Sequence, residues 1–165
     1  MDMILFRHGI AVERQEWAGK EQDRPLTGKG IRRTHRSAKG LFALRITPTH
    51  LLSSPLARAR ETAEILHHLI RPQVTLQICE ELAPQALPDA LFTLLGTVPS
   101  DSVLLCVGHE PHLSVVAATL LMGKPCAGFS LKKAGACLIQ IEKSVGSAKG
   151  HLQWWLTAAQ LRALA

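Results

Sequence analysis

The stretch Ile4-Leu5-Phe6-Arg7-His8-Gly9 decides the fold, because three apolar residues run directly into a cation, an imidazole and a glycine. An apolar run of this length is typical of a strand that is buried on both faces of a parallel sheet. Neighbouring side chains of a strand point to opposite faces, so Arg7 and His8 can share a site only if the strand ends there. Gly9 favours such a turn. We therefore interpret the stretch as a strand that delivers a site at its carboxyl end.

Length and composition predict one folded domain. The chain has 165 residues, which is near the usual size of a single domain, and we expect one domain over residues 1–165. Hydrophobic residues make up 47% of the chain and charged residues 19%, which are ordinary values for a soluble globular protein. A sizeable core can therefore be buried, and disorder is not expected.

The cysteines and the N-terminal sequence predict a soluble, cytoplasmic protein. The N-terminal residues enter strand-like sequence at once, without the basic segment and apolar stretch of a leader. No run approaches the roughly 20 apolar residues of a membrane span. The four cysteines are widely spaced and form no C-x-x-C pair, which fits a reducing compartment: Cys79, Cys106, Cys126 and Cys137.

The net charge favours an anionic partner. The formal charge is +6 and the isoelectric point is about 9.5, which suits phosphorylated protein, nucleotide, nucleic acid or a membrane surface. Binding nucleic acid by base stacking requires aromatic residues among the basic ones, whereas this chain has no Tyr, 4 Phe and 3 Trp. We expect neither a nucleic-acid partner nor a membrane partner.

Beyond the first strand, the chain alternates strand and helix patterns, which predicts a three-layer α/β/α fold with a mostly parallel central sheet. The last two strands are expected to form an antiparallel edge, joined by a turn over residues 144–150. Predicted strands cover 49–52, 74–79, 102–108, 136–141 and 151–156, and predicted helices cover 27–46, 54–70, 88–96, 111–122 and 157–164.

Two helix starts carry specific signals. Thr27 is a plausible N-cap, and Ile31 is expected on the apolar face of the helix that follows, with Ala38, Leu41 and Phe42. Ser54 as an N-cap and Pro55 at the first helical position predict the start of the next helix, and Pro72 lies beyond its end. The basic residues of the first helix are interpreted as a solvated face rather than a docking surface: Lys29, Arg32, Arg33, Arg36 and Lys39.

Chemistry-bearing residues follow three separate predicted strands. Arg7 and His8 end the first strand, Arg58 follows the second within about one helical turn, and His109 ends the strand over 102–108. In open α/β sheets, ligands bind beyond the carboxyl ends of the strands, so these residues are expected to converge. Two histidines and two arginines suit a phosphoryl group, because the arginines supply charged donors and an imidazole supplies a nucleophile. The polar residues 10–26 are interpreted as a loop over this site.

Other motifs do not support different chemistry. His109 and His112 are not spaced as the histidines of H-E-x-x-H, since Leu113 occupies the required position, so a zinc site is not predicted. Gly28-Lys29-Gly30 matches neither of the glycine-rich nucleotide-binding patterns. Trp154 and Trp155 form either a strand with one buried ring or a docking surface, and core packing is the preferred interpretation.

Four motifs occur in order along the first 121 residues. They are Arg7-His8-Gly9 with Ala11; Arg24-Pro25-Leu26-Thr27 with Gly30; Ser53-Ser54-Pro55 with Arg58, Ala59, Glu61, Thr62 and Ala63; and Gly108-His109-Glu110-Pro111. Together they resemble the histidine phosphatase (phosphoglycerate mutase-like) superfamily and, within it, the small bacterial SixA-type phosphohistidine phosphatases.

The resemblance implies a mechanism and a set of site residues. It implies that His8 is transiently phosphorylated, that Arg7, Arg58 and His109 bind the phosphoryl group, and that water then releases phosphate. Arg24 and Gly9 are carried over as substrate-binding residues, and Glu81 as a candidate general acid. No metal and no cofactor are implied.

The resemblance also indicates a substrate. Small SixA-like enzymes lack the long inserts that roof the pocket of sugar-phosphate relatives, and the imidazole of phosphohistidine leaves as a neutral ring once protonated. We therefore expect dephosphorylation of phosphohistidine on a partner protein, either a phosphotransfer domain or a phosphotransferase-system protein. A small-molecule phosphomonoester phosphatase for a sugar phosphate or nucleotide, and a non-catalytic phosphoprotein-binding module, remain as alternatives.

Overall fold

One mixed sheet forms the centre of the protein. The computed structural model describes residues 1–70, 74–144 and 147–165, and within them six strands lie in the order β3-β2-β4-β1-β5-β6. The strands are β1 (Asp2–Arg7), β2 (His50–Ser53), β3 (Leu76–Ile78), β4 (Val103–Gly108), β5 (Ala136–Ser144) and β6 (Ser147–Leu156). The α-helices are α1 (Gly28–Ala43), α2 (Ala57–His67), α3 (Pro88–Thr97), α4 (His112–Met122) and α5 (Ala158–Ala163).

The pairing of the strands confirms a mostly parallel sheet with an antiparallel edge. β1 pairs in parallel with β4, and β2 pairs in parallel with both β4 and β3. β5 runs antiparallel to β1 and to β6. The antiparallel ladder extends further than predicted, since residue 144 belongs to β5 and residues 147–150 belong to β6, although a turn was expected over 144–150. Residues 145 and 146 lie outside the described residues.

Helices cover both faces of the sheet, which confirms the three-layer prediction. Side chains of β1 alternate between two buried clusters: Met3 and Leu5 belong to one, Ile4 and Phe6 to the other. The first cluster contains residues of α3 and α4, and the second contains residues of α1, α2 and α5. Because both faces of β1 are buried, its sequence is a continuous apolar run and does not alternate between apolar and polar residues.

The start of α1 is the predicted one, although one residue of its apolar face is not buried. The Thr27 hydroxyl accepts a hydrogen bond from the Gly30 amide at 2.9 Å, as an N-cap does. Gly30 is required here because a Cβ atom would lie 2.0 Å from the Ile10 carbonyl oxygen. Ile31 is 45% exposed, so its assignment to the buried face was wrong.

The start of α2 differs from the prediction. The helix begins at Ala57 and its N-cap is Leu56, so the prediction of Ser54 as N-cap and Pro55 as first helical residue was wrong. The first helical turn closes on Leu56, whose carbonyl accepts from the amides of Ala59 and Arg60. The Ser54 hydroxyl lies before the helix, where it accepts from the Leu56 amide at 3.4 Å and lies 2.8 Å from Nε2 of His109. The predicted stop at Pro72 lies outside the described residues.

The tryptophans of β6 pack against the core. Trp154 packs against the cluster on the α1 face, and Trp155 packs against the cluster on the α4 face, where its ring lies 5.6 Å from that of Phe129. Both side chains are half-buried, in agreement with the core-packing interpretation. Within the described parts of the chain, the helices are too short or too polar to cross a membrane.

Candidate active site

A cavity of about 250 Å³ lies where β1, β2 and β4 end. Its walls contain the five polar side chains that the sequence placed there: Arg7, His8, Arg24, Arg58 and His109. The parallel pairing brings the strand ends together, since Arg7 is paired with Gly108 and the His8 amide donates to the Gly108 carbonyl at 3.0 Å. The remaining lining residues are Ala11, Glu13, Arg14, Pro84, Glu110 and Lys133.

His8 is held as a neutral imidazole with a free Nε2 lone pair. Its Nδ1 lies 2.7 Å from the Gly9 carbonyl oxygen, which only accepts, so Nδ1 carries the proton and donates. The side chain is 7% exposed. Burial, together with the charges of Arg58, Arg7 and Lys133, lowers the pKa of His8 from 6.5 to about 3. The remaining ring nitrogen, Nε2, is therefore unprotonated at neutral pH and nucleophilic.

His109 lies beside His8 and is also neutral. The two ring centroids are 4.9 Å apart, and the planes are inclined by 53°. Burial is the main cause that lowers the pKa of His109 to about 2, and the nearby His8 ring and the charge of Arg58 act in the same direction. Nε2 of His109 contacts the Ser54 hydroxyl, whereas its Nδ1 has no hydrogen-bond partner among the described residues.

Arg7 and Arg58 each have an N–H group without a hydrogen-bond acceptor among the described residues. Arg7 Nη1 donates to the Leu131 carbonyl at 2.7 Å, and Arg58 Nη1 donates to the Glu21 carbonyl at 3.2 Å. The Nε group of each arginine is buried without an acceptor in the described part of the chain. Buried donors are normally paired, and a phosphoryl group supplies several acceptor oxygens. The arginines therefore fit an anion in this cavity.

Glu21 joins three arginines at the edge of the cavity. Its carboxylate accepts hydrogen bonds from Arg24 at 2.7 and 3.0 Å and lies 3.2 Å from both Arg58 and Arg14. The hydrogen bonds from Arg24 and the three guanidinium charges lower the pKa of Glu21. The interaction is partly screened, since 42% of the Glu21 side chain is exposed. Arg24 is thus tied to Glu21 rather than directed freely at the cavity.

The backbone around Gly9 is fixed by α2. The Gly9 amide donates to the Thr62 hydroxyl at 3.0 Å, and that hydroxyl donates to the Arg58 carbonyl at 2.7 Å. A Cβ atom on Gly9 would lie 2.2 Å from the Thr34 hydroxyl oxygen. Gly9 therefore allows the chain to turn close to α1 and α2 directly after His8.

Several lining residues were not predicted from the sequence. Glu110 accepts a hydrogen bond from the Leu131 amide at 2.6 Å and another from the Ser114 hydroxyl, and its charge opposes the lowering of the Arg7 pKa by burial. Lys133 lies 4.0 Å from Glu13, which is mostly exposed. Glu110 could have been predicted as a lining residue from its position directly after His109. Lys133 and Glu13 could not, because they lie in segments without a recognisable motif.

The structure does not bring Glu81 into this cavity. Glu81 follows Cys79 in the turn after β3, and it is not among the lining residues. The carboxyl groups that do line the cavity belong to Glu13 and Glu110. Within the described residues, no group of three or more His, Cys, Asp or Glu side chains is arranged to hold a metal ion.

The fold and the site define a class of protein: an α/β domain with a neutral histidine and a cluster of arginines that together suit phosphoryl transfer. The sequence model of the histidine phosphatase superfamily (branch 1) matches residues 3–87. The chain belongs to the histidine phosphatase superfamily, whose members are phosphatases.

Individual relatives agree with this membership. An uncharacterised protein of Picosynechococcus sp. is 39% identical over 138 residues, which cover 82% of each chain. The phosphohistidine phosphatase SixA of Escherichia coli K12 is 22% identical over 164 residues, which cover 98% of this chain and 97% of SixA.

Solved structures share the fold. The protein histidine phosphatase SixA complexed with tungstate superposes with a TM-score of 0.84 at 21% identity, over 98% of this chain and 99% of that one. A mycobacterial glucosyl-3-phosphoglycerate phosphatase complexed with VO3 gives a TM-score of 0.75 at 17% identity, over 94% and 99%. At these identities the superpositions show the fold alone.

Proposed function

We propose that this protein hydrolyses phosphohistidine on a partner protein through a phosphorylated His8. The observation that carries the proposal is the hydrogen bond from His8 Nδ1 to the Gly9 carbonyl, because it leaves the lone pair on Nε2 inside the cavity. The same pocket supplies cations for the phosphoryl oxygens. Similarity to the SixA of Escherichia coli supports the choice of substrate.

The reaction proceeds in two displacements. In the first, Nε2 of His8 attacks the phosphorus atom and the P–N bond of the substrate breaks. The imidazole of the substrate, already protonated on its other ring nitrogen, leaves with the electron pair as a neutral ring. In the second, water attacks the phosphorus atom and the bond to His8 breaks, with its electron pair returning to Nε2. The attacking water gives up a proton to the solvent, and inorganic phosphate is the product. Arg7 and Arg58 stabilise the charge on the equatorial oxygens in both steps.

The absence of Glu81 from the cavity lining supports phosphohistidine over an ester. An alkoxide leaving group requires a proton donor near the scissile bond, whereas a protonated imidazole leaves as a neutral ring. Of the carboxyl groups that do line the cavity, Glu110 is hydrogen-bonded to Ser114 and Leu131, and Glu13 is mostly exposed beside Lys133.

Glu13 supports the second candidate, a small-molecule phosphomonoester phosphatase. Its carboxyl group lines the cavity and is accessible to solvent, so it could protonate an alkoxide. In that case Glu13→Gln would lower the hydrolysis of phosphate esters strongly and leave the hydrolysis of phosphohistidine much less affected.

The test compares matched substrates. A synthetic peptide that carries phosphohistidine, the same peptide with phosphoserine, and p-nitrophenyl phosphate are incubated with the wild-type protein, and released phosphate is measured. We expect turnover of the phosphohistidine peptide and a phosphoryl group on His8, detected by mass spectrometry after rapid quenching. His8→Asn is expected to lower the rate by more than about a thousandfold.

Other outcomes would select the alternatives. Rapid hydrolysis of the esters with an intact phosphohistidine peptide would contradict the substrate assignment and favour the phosphomonoester phosphatase. Binding of the phosphohistidine peptide without turnover of any substrate would favour a non-catalytic binding module.

A further inference from the structure

A second cavity lies beside the candidate active site. Its volume is about 380 Å³, and it shares Arg7 and Lys133 with the first cavity. We call it the basic cavity, after its cationic residues Arg7, Arg33, Lys132, Lys133 and Arg162. The other lining residues are Ile10, Thr34, Ala134 and Ala158, so that none of those described is acidic.

The cations of the basic cavity are largely uncompensated. In the candidate active site, Arg14, Arg24 and Arg58 share one carboxylate, that of Glu21, within 3.2 Å. By contrast, Arg33, Lys132 and Arg162 form no ion pair with any acidic residue that the structure describes, and Lys133 reaches only Glu13, at 4.0 Å. Like charges held together around a concave surface raise its positive potential, which attracts an anionic ligand.

The cavity is built by elements that are fixed relative to one another. Arg33 lies on α1, Arg162 on α5, and the two lysines in the segment before β5. α5 packs closely on α1, because Gly40 allows the Leu161 carbonyl to approach so near that a Cβ atom would lie 1.7 Å from it. Arg33 is exposed, as are the other basic residues of α1, but it differs from them in facing this cavity.

The side chains that line the basic cavity indicate which class of anionic ligand it fits. Base stacking requires aromatic side chains, and none is present among the described lining residues, so a nucleic acid is not favoured. Accessible Lys and Arg side chains from three separate elements suit several carboxylates on a protein surface. The position next to the nucleophile requires that such carboxylates lie close to the phosphorylated residue.

We propose that the basic cavity binds acidic side chains that flank the phosphohistidine of the substrate protein. This proposal rests on the proposed function and adds a recognition site to it. Phosphorylated residues in acidic surroundings are thereby selected over equally accessible ones in neutral surroundings. Because the contacts are solvent-exposed, the selection weakens as ionic strength increases.

The experiment uses two synthetic phosphohistidine peptides that differ only in charge. In one, four flanking positions are Glu, and in the other they are Gln. The ratio of kcat/KM for the two peptides is measured with each enzyme preparation, so that the fraction of folded protein cancels. For the wild type at low salt we expect a ratio of about five in favour of the Glu peptide.

Two matched double variants locate the effect. R33Q with R162Q removes two cations of the basic cavity and is expected to bring the ratio close to one. R32Q with R36Q removes the same charge from exposed positions of α1 outside the cavity, and is expected to leave the ratio near five.

The outcomes separate this proposal from the proposed function. Hydrolysis of both peptides at equal efficiency by the wild type, or equal loss of the preference in the two double variants, would overturn the basic cavity as a recognition site while the phosphatase assignment stands. Failure of the wild type to hydrolyse either peptide would overturn the phosphohistidine assignment and this proposal with it.

Discussion

The Ser54 hydroxyl lies 2.8 Å from Nε2 of His109, and this contact orients one of the two buried histidines of the candidate active site. The contact engages one ring nitrogen, and the other, Nδ1, has no hydrogen-bond partner in the described part of the protein. A hydrogen bond to one ring nitrogen fixes the orientation of the imidazole ring. Ser54 is therefore a positioning residue.

Ser54→Ala is expected to lower kcat about tenfold, because the ring of His109 is then free to rotate away from the phosphoryl group. The loss of the buried hydrogen bond is expected to lower the free energy of unfolding by about 1 kcal/mol. Steady-state kinetics with a phosphohistidine peptide and urea denaturation give the two quantities.

Ser53→Ala is the matched control. The Ser53 hydroxyl is also buried and donates to the Ser54 carbonyl at 3.0 Å, but it does not contact His109. A similar loss of stability with an unchanged kcat is expected. An equal loss of kcat in both variants would contradict the positioning role of Ser54.

We expect Glu21 to compete with phosphate for the arginines that its carboxylate contacts. Glu21→Gln removes the negative charge next to Arg58 and Arg24, and inorganic phosphate is expected to inhibit this variant at a concentration about threefold to tenfold lower than the wild type. The effect is modest because the carboxylate is partly exposed. Inhibition constants measured at several salt concentrations test it.

Glu16→Gln controls for charge alone, since Glu16 lies on the same loop, is exposed and forms no ion pair with a described residue. Its inhibition constant for phosphate is expected to stay close to that of the wild type. If Glu21→Gln instead weakens phosphate binding, then the carboxylate serves mainly to hold the arginines in place.

Gly9 is expected to tolerate no side chain while Thr34 is present. Gly9→Ala places a Cβ atom 2.2 Å from the Thr34 hydroxyl oxygen and is expected to cost about 1–3 kcal/mol of stability. The double variant with Thr34→Ala is expected to recover most of that loss, because the next closest atom belongs to Leu26, at 3.3 Å. Chemical denaturation of all four members of the cycle measures the coupling.

Gly96→Ala provides the reference for this cycle, since no atom lies within 4 Å of its Cβ position and it is within α3. Alanine favours helix over glycine, so this variant is expected to be at least as stable as the wild type. Additive effects of the Gly9 and Thr34 substitutions would show that the close approach is not what requires glycine.

The two neutral histidines predict loss of stability in mild acid. The pKa values of His8 and His109 in the folded protein are about 3 and about 2, below the unfolded value of 6.5. Between these values the unfolded chain binds more protons, so the free energy of unfolding falls as pH decreases from 6.5. From pH 7.5 to pH 5, each histidine is expected to account for roughly 2 kcal/mol.

Urea denaturation at several pH values tests this dependence, and His8→Asn should remove the share of one histidine, roughly 2 kcal/mol. A free energy of unfolding that stays constant between pH 7.5 and pH 5, or an identical slope in His8→Asn, would contradict the assignment of buried neutral histidines.

The part of the site carried by strand ends could be predicted from the sequence. Arg7, His8 and His109 follow apolar runs, and parallel strands bring their carboxyl ends to one edge. Arg58 could be placed because it follows β2 within one turn of a helix, even though the start of that helix was predicted too early. Such predictions depend on local pattern and on topology, both of which the sequence contains.

Contacts made by loops could not be predicted in the same way. Glu21 meets three arginines because the residues after β1 fold back over the cavity, and no periodicity in that segment encodes the path. The basic cavity could not be predicted either. Arg33 and Arg162 are far apart in sequence and line one cavity only because α5 packs on α1. Glu81 was carried over from the family resemblance by its position in the chain alone, and it is not among the residues that line the cavity.

Because β1 pairs in parallel with β4, the candidate active site is expected to persist until the whole domain unfolds. These are the two central strands of the sheet, and His8 and His109 directly follow them. Separating the histidines requires separating strands whose side chains are almost all buried in the core, which is the last opening event in a cooperative domain. Thermal inactivation should therefore coincide with global unfolding, and the amides of residues 3–6 should be among the slowest to exchange with deuterium.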